Sequence, residues 1–286
     1  MRIFIIWTLF LLFQGNAEPN TNSIHHLRLS KRANVASTDK ETLELYAAYA
    51  GATYNLLKSW TCAPECQHPG TEGTVVDHLW NIPLITSSGY IAHNPNKNII
   101  VVAFRGSQSL GDWAQSFTAV PTLWPASIAD SVVNTGFLTG YIVAKPLIIQ
   151  NIADLAQKYP EYLILVTGHS LGGSRAAMLV ADLALGYPNL KHRLQLYTYG
   201  QAKCGNKVFA DLINGLGIPV VRVVNRGDIV PKLPIEESVY AHFGTEAWYD
   251  FNNDTVVCTT NDYSKCSEQL SPIFLNIEDH LTYPGL

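Results

Sequence analysis

The stretch YLILVTGHSLGGSRAAMLVADLAL, residues 162–185, decides the fold. It opens on a continuous apolar run over residues 162–166, as expected of a strand that is buried on both faces in a parallel sheet. It continues with an alanine-rich run over residues 171–185 that has the composition of a helix. Because few residues separate the two runs, the sequence predicts a strand that turns directly into a helix.

The junction Gly168-His169-Ser170-Leu171-Gly172 fits the G-x-S-x-G pattern, in which a serine occupies a sharp strand-to-helix turn. The two glycines lack a Cβ, so the neighbouring backbone can approach closely. The Leu171 N–H lies at the helix start, where backbone donors are unpaired and the helix dipole favours negative charge. The pattern therefore predicts Ser170 as a nucleophile. Five residues can match by chance, but the strand before and the helix after make the match specific.

Strand-like and helical segments alternate along the rest of the chain. Helical spacing predicts a helix over 39–57, and paired strands with a turn at Ser88-Gly89 are expected near the region 73–93. Pro146 should kink or break a second predicted helix. The other predicted elements lie at 98–104, 134–159, 194–199, 205–216 and 220–225. The order predicts an α/β-hydrolase fold, with a mainly parallel central sheet and helices on both faces.

A serine nucleophile needs a neutral histidine to accept its proton and a carboxylate to orient that histidine. In this fold the chain order is serine, then acid, then histidine. Of the three histidines after Ser170, His192 comes too early to leave room for the acid. His242 sits in an aromatic stretch and is predicted to be packed and hydrogen-bonded. His280 is therefore the expected base.

The acid should directly follow a strand that comes after the nucleophile. Asp228 does so, at the end of the predicted strand 220–225. The remaining aspartates lie on a predicted helix, in a polar loop, or adjacent to His280 where they cannot reach the same ring: Asp211, Asp250, Asp254, Asp262 and Asp279. We expect a catalytic triad of Ser170, Asp228 and His280.

A tetrahedral oxyanion needs fixed donors, and the loss of one costs about 100- to 1,000-fold in rate. Leu171 N–H supplies one donor, and the loop after the strand 98–104 should supply the second. We assign that second donor to the Ser107 N–H, with its hydroxyl as a further candidate, and read Arg105 as a structural anchor of the loop. Leu110, Trp113 and Phe117 then share one face at helical spacing. They form either a mobile lid or packed surface.

The N-terminus carries Arg2, an apolar run over residues 3–13, and small residues up to Ala17. This pattern predicts a signal peptide, residues 1–17, since the run is too short to anchor the chain across a membrane. Residues 18–32 are polar and end in a dibasic pair, which predicts a propeptide, although two solvated charges are the plainer alternative. The domain would span residues 33–286. The expected location is secreted and extracellular, with no transmembrane anchor.

Five cysteines fit that location. Their spacing favours local disulfides, Cys62–Cys66 and Cys258–Cys266, over a zinc site, and leaves Cys204 as a buried free thiol. Asn253-Asp254-Thr255 predicts an N-glycosylation site on an exposed loop.

The composition is that of a globular protein with a sizeable core, and the proposed chemistry needs no cofactor or metal. Of 286 residues, 47% are hydrophobic and 15% charged, and the net charge of −4 gives no basic face for nucleic acid.

Several segments resemble, in the same order, those of the fungal lipases of class 3, a family that includes feruloyl esterases: VVAFRGSQSLGDW, GFLTGY, VTGHSLGGSRAAML, LYTYGQAKCGN, RVVNRGDIVPKLP, YAHFGTEAWY and DHLTYPG. The resemblance implies the same triad and the same oxyanion donors as the residues themselves. Arg175 departs from the family, whose members mostly carry small residues there. The terminal disulfide of many relatives is also missing.

The leading hypothesis is a carboxylic ester hydrolase, a triacylglycerol lipase that forms an acyl-enzyme on Ser170. Its partners would be a lipid or ester substrate and, transiently, the lipid–water interface. The alternatives are an esterase for soluble or feruloyl-type esters and a catalytically inactive binding protein on the same scaffold.

Overall fold

The protein is described by a computed structural model over residues 36–55, 59–107, 120–235, 239–260 and 262–286. The predicted signal peptide and propeptide, residues 1–17 and 18–32, lie outside these ranges. So do the predicted lid residues Leu110, Trp113 and Phe117.

An eight-stranded sheet forms the centre of the described chain, in the order β1-β2-β3-β6-β7-β8-β9-β10. The five strands from β3 to β9 in this order pair in parallel, whereas β1, β2 and β10 add antiparallel pairs at the two edges. This confirms the mainly parallel sheet. The strands are β1 Val75–Ile82, β2 Ser87–Asn94, β3 Ile99–Phe104, β6 Leu163–His169, β7 Leu194–Tyr199, β8 Val220–Asn225, β9 Thr245–Tyr249 and β10 Thr255–Cys258. A separate small ribbon pairs β4 Pro121–Leu123 with β5 Val132–Asn134.

The central strands are buried on both faces because helices cover both sides of the sheet. In β3, Ile100, Val102 and Phe104 enter one hydrophobic cluster with the helices Thr135–Lys158 and Leu171–Gly186, and the alternate residues enter a second cluster beneath the helix Lys40–Gly51. Alternation of this kind is the period-two geometry of a strand. It explains why β3 reads as one unbroken apolar run.

The part of the chain that the structure describes has four α-helices: α1 Lys40–Gly51, α2 Thr135–Lys158, α3 Leu171–Gly186 and α4 Lys207–Asn214. Asp39 caps α1 by accepting from Thr42 N at 2.9 Å. Asn134 caps α2 in the same way. The helix α2 continues through Pro146, so of the two effects predicted for that residue, a kink or a break, the break does not occur.

The β1–β2 connection corrects a prediction. The turn lies at Pro83–Ile85, followed by Thr86 in the left-handed region at φ 48°, and the predicted turn residues Ser88 and Gly89 are inside β2. Position 89 requires glycine because a Cβ there would lie 2.2 Å from the Ala103 carbonyl on β3 and 2.4 Å from the Trp80 ring on β1. The glycine therefore marks a close approach of the two neighbouring strands and not a turn.

Both predicted disulfides are formed. Cys62–Cys66 closes a short loop after α1, and Cys258–Cys266 joins the end of β10 to the segment that follows it. Cys204 is a buried free thiol, and burial raises its pKa to about 12. None of the described helices has the length and apolar character needed to cross a bilayer.

Candidate active site

Ser170 lies at the junction of β6 and α3 in a backbone conformation that side chains rarely adopt, φ 58° and ψ −130°. Its N–H donates to the Tyr199 carbonyl at 2.8 Å, which ties the junction to the end of β7. Two glycines make the turn possible: a Cβ on Gly168 would lie 2.5 Å from the backbone of Gly172, and one on Gly172 would lie 2.2 Å from the Phe104 carbonyl. Strain held by the surrounding structure is typical of functional positions.

Asp228 and His280 meet at the same edge of the sheet. Nδ1 of His280 lies 3.0 Å from Oδ1 and 2.9 Å from Oδ2 of Asp228, and both side chains are buried. Gly200 directly follows Tyr199 at the end of β7 and has φ 57°. A Cβ there would lie 2.7 Å from the Asp228 carboxylate and 2.8 Å from the His280 ring. The structure thus brings Asp228 and His280 together, beside the strand end to which the Ser170 backbone is hydrogen-bonded.

Tyr283 is a member of this site that the sequence did not predict. Its hydroxyl donates to Oδ2 of Asp228 at 2.5 Å from a buried position. Burial, together with the negative charge of Asp228, raises the pKa of Tyr283 well above its ordinary value, so the hydroxyl keeps its proton as a donor. The residue lies three positions after His280, and no known spacing rule links a tyrosine there to the acid.

His169 connects the nucleophile turn to the segment that carries the base. Its Nε2 lies 2.8 Å from the His280 carbonyl and its Nδ1 lies 2.6 Å from the Tyr54 hydroxyl. Burial, and then the neighbouring His280 ring, lower the pKa of His169 well below its usual value. The neutral ring must donate from Nε2, because a carbonyl only accepts, so Nδ1 accepts from Tyr54. The prediction that His169 is structural fits this arrangement.

The segments that carry the acid and the base are also tied to each other. Asp279 accepts from Gly227 N at 2.9 Å, and Asn225 at the end of β8 donates to the Asp279 carbonyl at 2.9 Å. The backbone of Ile229 donates to the Asn276 carbonyl at 3.1 Å. These bonds fix the relative position of Asp228 and His280. The side chain of Asp279, which the sequence analysis excluded as the catalytic acid, therefore holds the loop that carries Asp228.

The oxyanion loop predicted after β3 passes beside Ser170. A Cβ on Gly106 would lie 3.0 Å from the Cβ of Ser170. The next residue, Ser107, has a buried hydroxyl oxygen with no hydrogen-bond partner within the described ranges. Leu171 begins α3, as required of a residue that offers its N–H at a helix start. The Arg105 backbone donates to the Ser88 carbonyl at 2.9 Å and so anchors the loop to β2.

The residues that the sequence excluded lie elsewhere. His192 lies in a short 3-10 helix directly before β7, at the opposite edge of the sheet from Ser170. His242 contacts the Pro231 carbonyl through Nε2 at 2.6 Å, as predicted for a packed histidine. Asp211 is exposed on α4 and pairs with Lys207. No cluster of three or more metal-ligating side chains occurs in the described part of the chain.

Arg175 on α3 is buried, and not turned outward. Its Nη1 donates to the Thr86 carbonyl at 2.7 Å and its Nη2 to the Ile85 carbonyl at 3.3 Å, which ties α3 to the β1–β2 turn. The Gly140 backbone packs against the guanidinium. Burial, and then the charge of Arg105, lower the pKa of Arg175 to about 10.

Known proteins are similar to this chain in both sequence and architecture. A family model described as lipase (class 3) matches residues 101–238. The lipase of Rhizomucor miehei is 33% identical over 258 residues, an alignment that covers 88% of this chain and 70% of the relative. The secreted mono- and diacylglycerol lipase A of Penicillium cyclopium is 28% identical over 268 residues, which cover 87% of this chain and 86% of that protein.

One solved structure is that of a triacylglycerol lipase whose catalytic centre is formed by a serine protease triad. It matches with a TM-score of 0.80 at 33% identity, over 88% of this chain and 96% of that one. Identity at this level, over most of both chains and with the same architecture, places the relationship beyond a shared fold. This chain belongs to the fungal class 3 lipase family.

Proposed function

We propose that this chain is a secreted serine hydrolase that cleaves carboxylic esters, and specifically a triacylglycerol lipase. The observation that carries the proposal is the buried Asp228–His280 pair beside the strained turn at Ser170, with distances of 2.9 and 3.0 Å between Nδ1 and the carboxylate. A hydrogen-bonded acid and histidine next to a nucleophile turn are the parts that serine catalysis needs.

The reaction would follow from these positions. The hydroxyl of Ser170 attacks the ester carbonyl, and His280 takes the proton while Asp228 stabilises the resulting imidazolium. The N–H groups of Leu171 and Ser107 hold the oxyanion. His280 then protonates the leaving alcohol, and water hydrolyses the acyl-enzyme with the same histidine as base.

Exposed apolar side chains around this edge of the sheet support contact with a lipid–water interface. Leu84, at the β1–β2 turn, is 98% exposed, and Leu281 directly follows His280. Ile273, which is 82% exposed, lies next to the loop that carries Asp228, since Asn276 N donates to the Gly227 carbonyl at 2.8 Å. Ile235 is exposed on the loop after Asp228. Apolar side chains grouped on one face mark a surface that meets lipid or another apolar partner.

The proposed location is extracellular, with a signal peptide at residues 1–17 and a propeptide at 18–32 that is removed after Lys31-Arg32. The two disulfides favour an oxidising compartment. Mass spectrometry of the exported protein would give its first residue. Ala33 is expected, and an N-terminus within residues 18–31 would contradict processing at the dibasic pair.

The experiment that tests the proposal measures hydrolysis of tributyrin across its solubility limit, with purified protein and with the Ser170→Ala variant. The variant should lose at least about 1,000-fold in activity, because the nucleophile acts as a unit with its base. Ser174→Ala is the matched control. It removes a buried hydroxyl one helical turn further on, which contacts the Ala202 carbonyl at 3.3 Å, and it should leave the rate nearly unchanged.

A rate that jumps above the solubility limit supports a lipase. Steady activity on dissolved ester without a jump favours the esterase alternative. The Penicillium relative is named for mono- and diacylglycerols, so mono-, di- and triacylglycerols of one acyl chain should be compared directly. No hydrolysis, combined with no labelling of Ser170 by a serine-directed phosphonate, would contradict the enzyme and favour a binding protein.

A further inference from the structure

The tip of the β9–β10 hairpin carries the sequence Asn253-Asp254-Thr255, which has no part in the proposed reaction. Asp250 organises this turn: its carbonyl accepts from Asn253 N at 3.0 Å, and its Oδ1 accepts from Asp254 N at 2.9 Å. Asn253 has φ 63°, a left-handed conformation that asparagine tolerates better than most residues. The turn therefore presents an exposed asparagine in a fixed backbone conformation.

The side-chain amide of Asn253 is oriented by a neighbour. Nη2 of Arg226 donates to its Oδ1 at 2.8 Å. Because a guanidinium only donates, this contact assigns the oxygen of the amide and leaves Nδ2 on the other side. The structure gives Nδ2 no hydrogen-bond partner in the described ranges, so the nitrogen is accessible to an enzyme that modifies it.

Two exposed aromatic rings lie next to this asparagine, and we call them the phenylalanine shelf: Phe251 and Phe274. They are 51% and 52% exposed, and their ring centroids are 6.2 Å apart. Phe251 belongs to the same turn as Asn253. Phe274 is held close to this turn by the loop that carries Asp228. In that loop, Arg226 contacts Asn253, and a Cβ on the adjacent Gly227 would lie 2.0 Å from the Phe274 carbonyl.

We propose that Asn253 carries an N-linked glycan whose first sugars pack on the phenylalanine shelf. The inference goes beyond the hydrolase function and requires only passage through the secretory pathway. In the transfer step, Nδ2 bonds to the anomeric carbon of a lipid-pyrophosphate-linked oligosaccharide. The bond from that carbon to the pyrophosphate oxygen breaks, the lipid pyrophosphate leaves, and the amide loses one proton to solvent. Pyranose rings have an apolar C–H face, which removes the exposed phenylalanine surface from water.

Occupancy is tested by exporting the full chain from a glycosylating eukaryotic host, with a host signal peptide if its own leader fails. Thr255→Ser keeps the glycosylation signal, whereas Thr255→Ala and Asn253→Gln remove it; Asn252→Gln is a matched neighbour. We expect added mass, released by a glycosidase, on the wild type, Thr255→Ser and Asn252→Gln only. An exported wild-type chain with bare polypeptide mass would overturn the site, and its esterase activity would remain a separate question.

The contact between the glycan and the shelf is tested by a double-mutant cycle of four proteins: wild type, Thr255→Ala, Phe251→Ala and the double variant. The two proteins that keep Thr255 carry the glycan, and the two with Thr255→Ala do not. Loss of the glycan should lower the Tm by about 2–4 °C when Phe251 is present, the shift expected when a chain of this size loses one favourable contact. In the Phe251→Ala background the same loss should have less than half that effect. Equal shifts in both backgrounds would overturn the packing of the glycan on the shelf.

Discussion

The hydroxyl of Tyr283 and the ring of His280 share one oxygen of Asp228, at 2.5 and 2.9 Å from Oδ2. A third donor, the N–H of Val230, reaches Oδ1 at 2.8 Å. The buried carboxylate therefore accepts hydrogen bonds from two segments, its own loop and the C-terminal stretch that carries both His280 and Tyr283, as a buried polar group requires.

Replacing Tyr283 with Phe removes one of these donors and leaves the ring in place. One oxygen of the buried Asp228 carboxylate then loses a donor, and the carboxylate orients the His280 ring less firmly. We expect kcat/KM to fall about 10- to 100-fold, since a hydrogen bond to a charged group contributes about 1.5–3 kcal/mol. Tyr90→Phe is the control, because its buried hydroxyl donates to the Tyr49 carbonyl at 2.6 Å, away from the site. An unchanged kcat/KM would contradict the role of Tyr283.

His169 should act on kcat and not on KM. His169→Ala leaves the Tyr54 hydroxyl and the His280 carbonyl without their partner, at about 1–3 kcal/mol of stability for each buried group. The backbone that carries the base is loosened, so kcat should fall about 10- to 100-fold. His169→Asn can still donate to the carbonyl and should recover part of kcat. Equal kcat values for the two variants would mean that the contact with His280 has no catalytic consequence.

The sequence predicted the triad, because Ser170, Asp228 and His280 each stand in a short local pattern whose place in the chain order is fixed by the fold. It did not predict Tyr54 or Tyr283, because each acts through a tertiary contact that no local pattern encodes. Their distance in sequence from their partners is 115 and 55 residues.

The errors in the fold have a similar origin. Gly89 resembled a turn residue, but the Ala103 carbonyl and the Trp80 ring on the two neighbouring strands required the absence of a Cβ there. Pro146 resembled a helix break, but nine residues of α2 are buried against the protein, and this tertiary packing outweighs one lost backbone hydrogen bond. Each of these two residues is compatible with more than one local structure, and the surrounding packing determined which one formed.

Two neutral histidines, the buried His169 and the partly buried His242, make the stability depend on pH below about 6.5. Burial lowers the pKa of both His169 and His242 well below the value that they have in the unfolded chain. The unfolded chain therefore binds more protons as the pH falls. The stability that these residues contribute is present above the unfolded pKa and is lost below it, by up to about 1.4 kcal/mol per pH unit for each histidine.

Unfolding in urea between pH 7 and pH 5 measures this slope. His242→Gln removes one titrating group that lies outside the site and should reduce the slope by that amount, whatever its effect at pH 7. Gln67→Ala, at an exposed position that carries no titrating group, is the control and should leave the slope unchanged. A wild-type stability that stays constant from pH 7 to pH 5 would contradict the neutral state of both rings.

Cys204 should be unreactive in the native protein. The thiol is buried and its pKa is raised to about 12, so almost no thiolate is present at neutral pH. With the other four cysteines in disulfides, a thiol reagent should label nothing in the folded protein and one site per chain in denaturant without reductant. Rapid native labelling would show that this region opens; two or more labelled sites in denaturant would show that a disulfide is missing.

The effect of Gly140→Ala on stability should change sign when Arg175 is also replaced by alanine. Glycine inside a helix costs about 0.5–1 kcal/mol relative to alanine, yet Gly140 lies within α2. A Cβ there would lie 2.1 Å from Nη2 of Arg175. The guanidinium cannot retreat, because it is 1% exposed and is held by the Thr86 and Ile85 carbonyls. Gly140→Ala should therefore destabilise the wild type by about 1–3 kcal/mol, the usual cost of overpacking.

In the Arg175→Ala background the obstacle is gone, and only the helix preference for alanine remains. Arg175→Ala alone should be destabilising, since it leaves a cavity and two buried carbonyls without a donor. Adding Gly140→Ala to it should then raise stability by about 0.5–1 kcal/mol. Urea unfolding of the four proteins gives the coupling directly. If Gly140→Ala destabilises both backgrounds equally, the glycine is required by something other than the arginine, and the two helices are not matched through this contact.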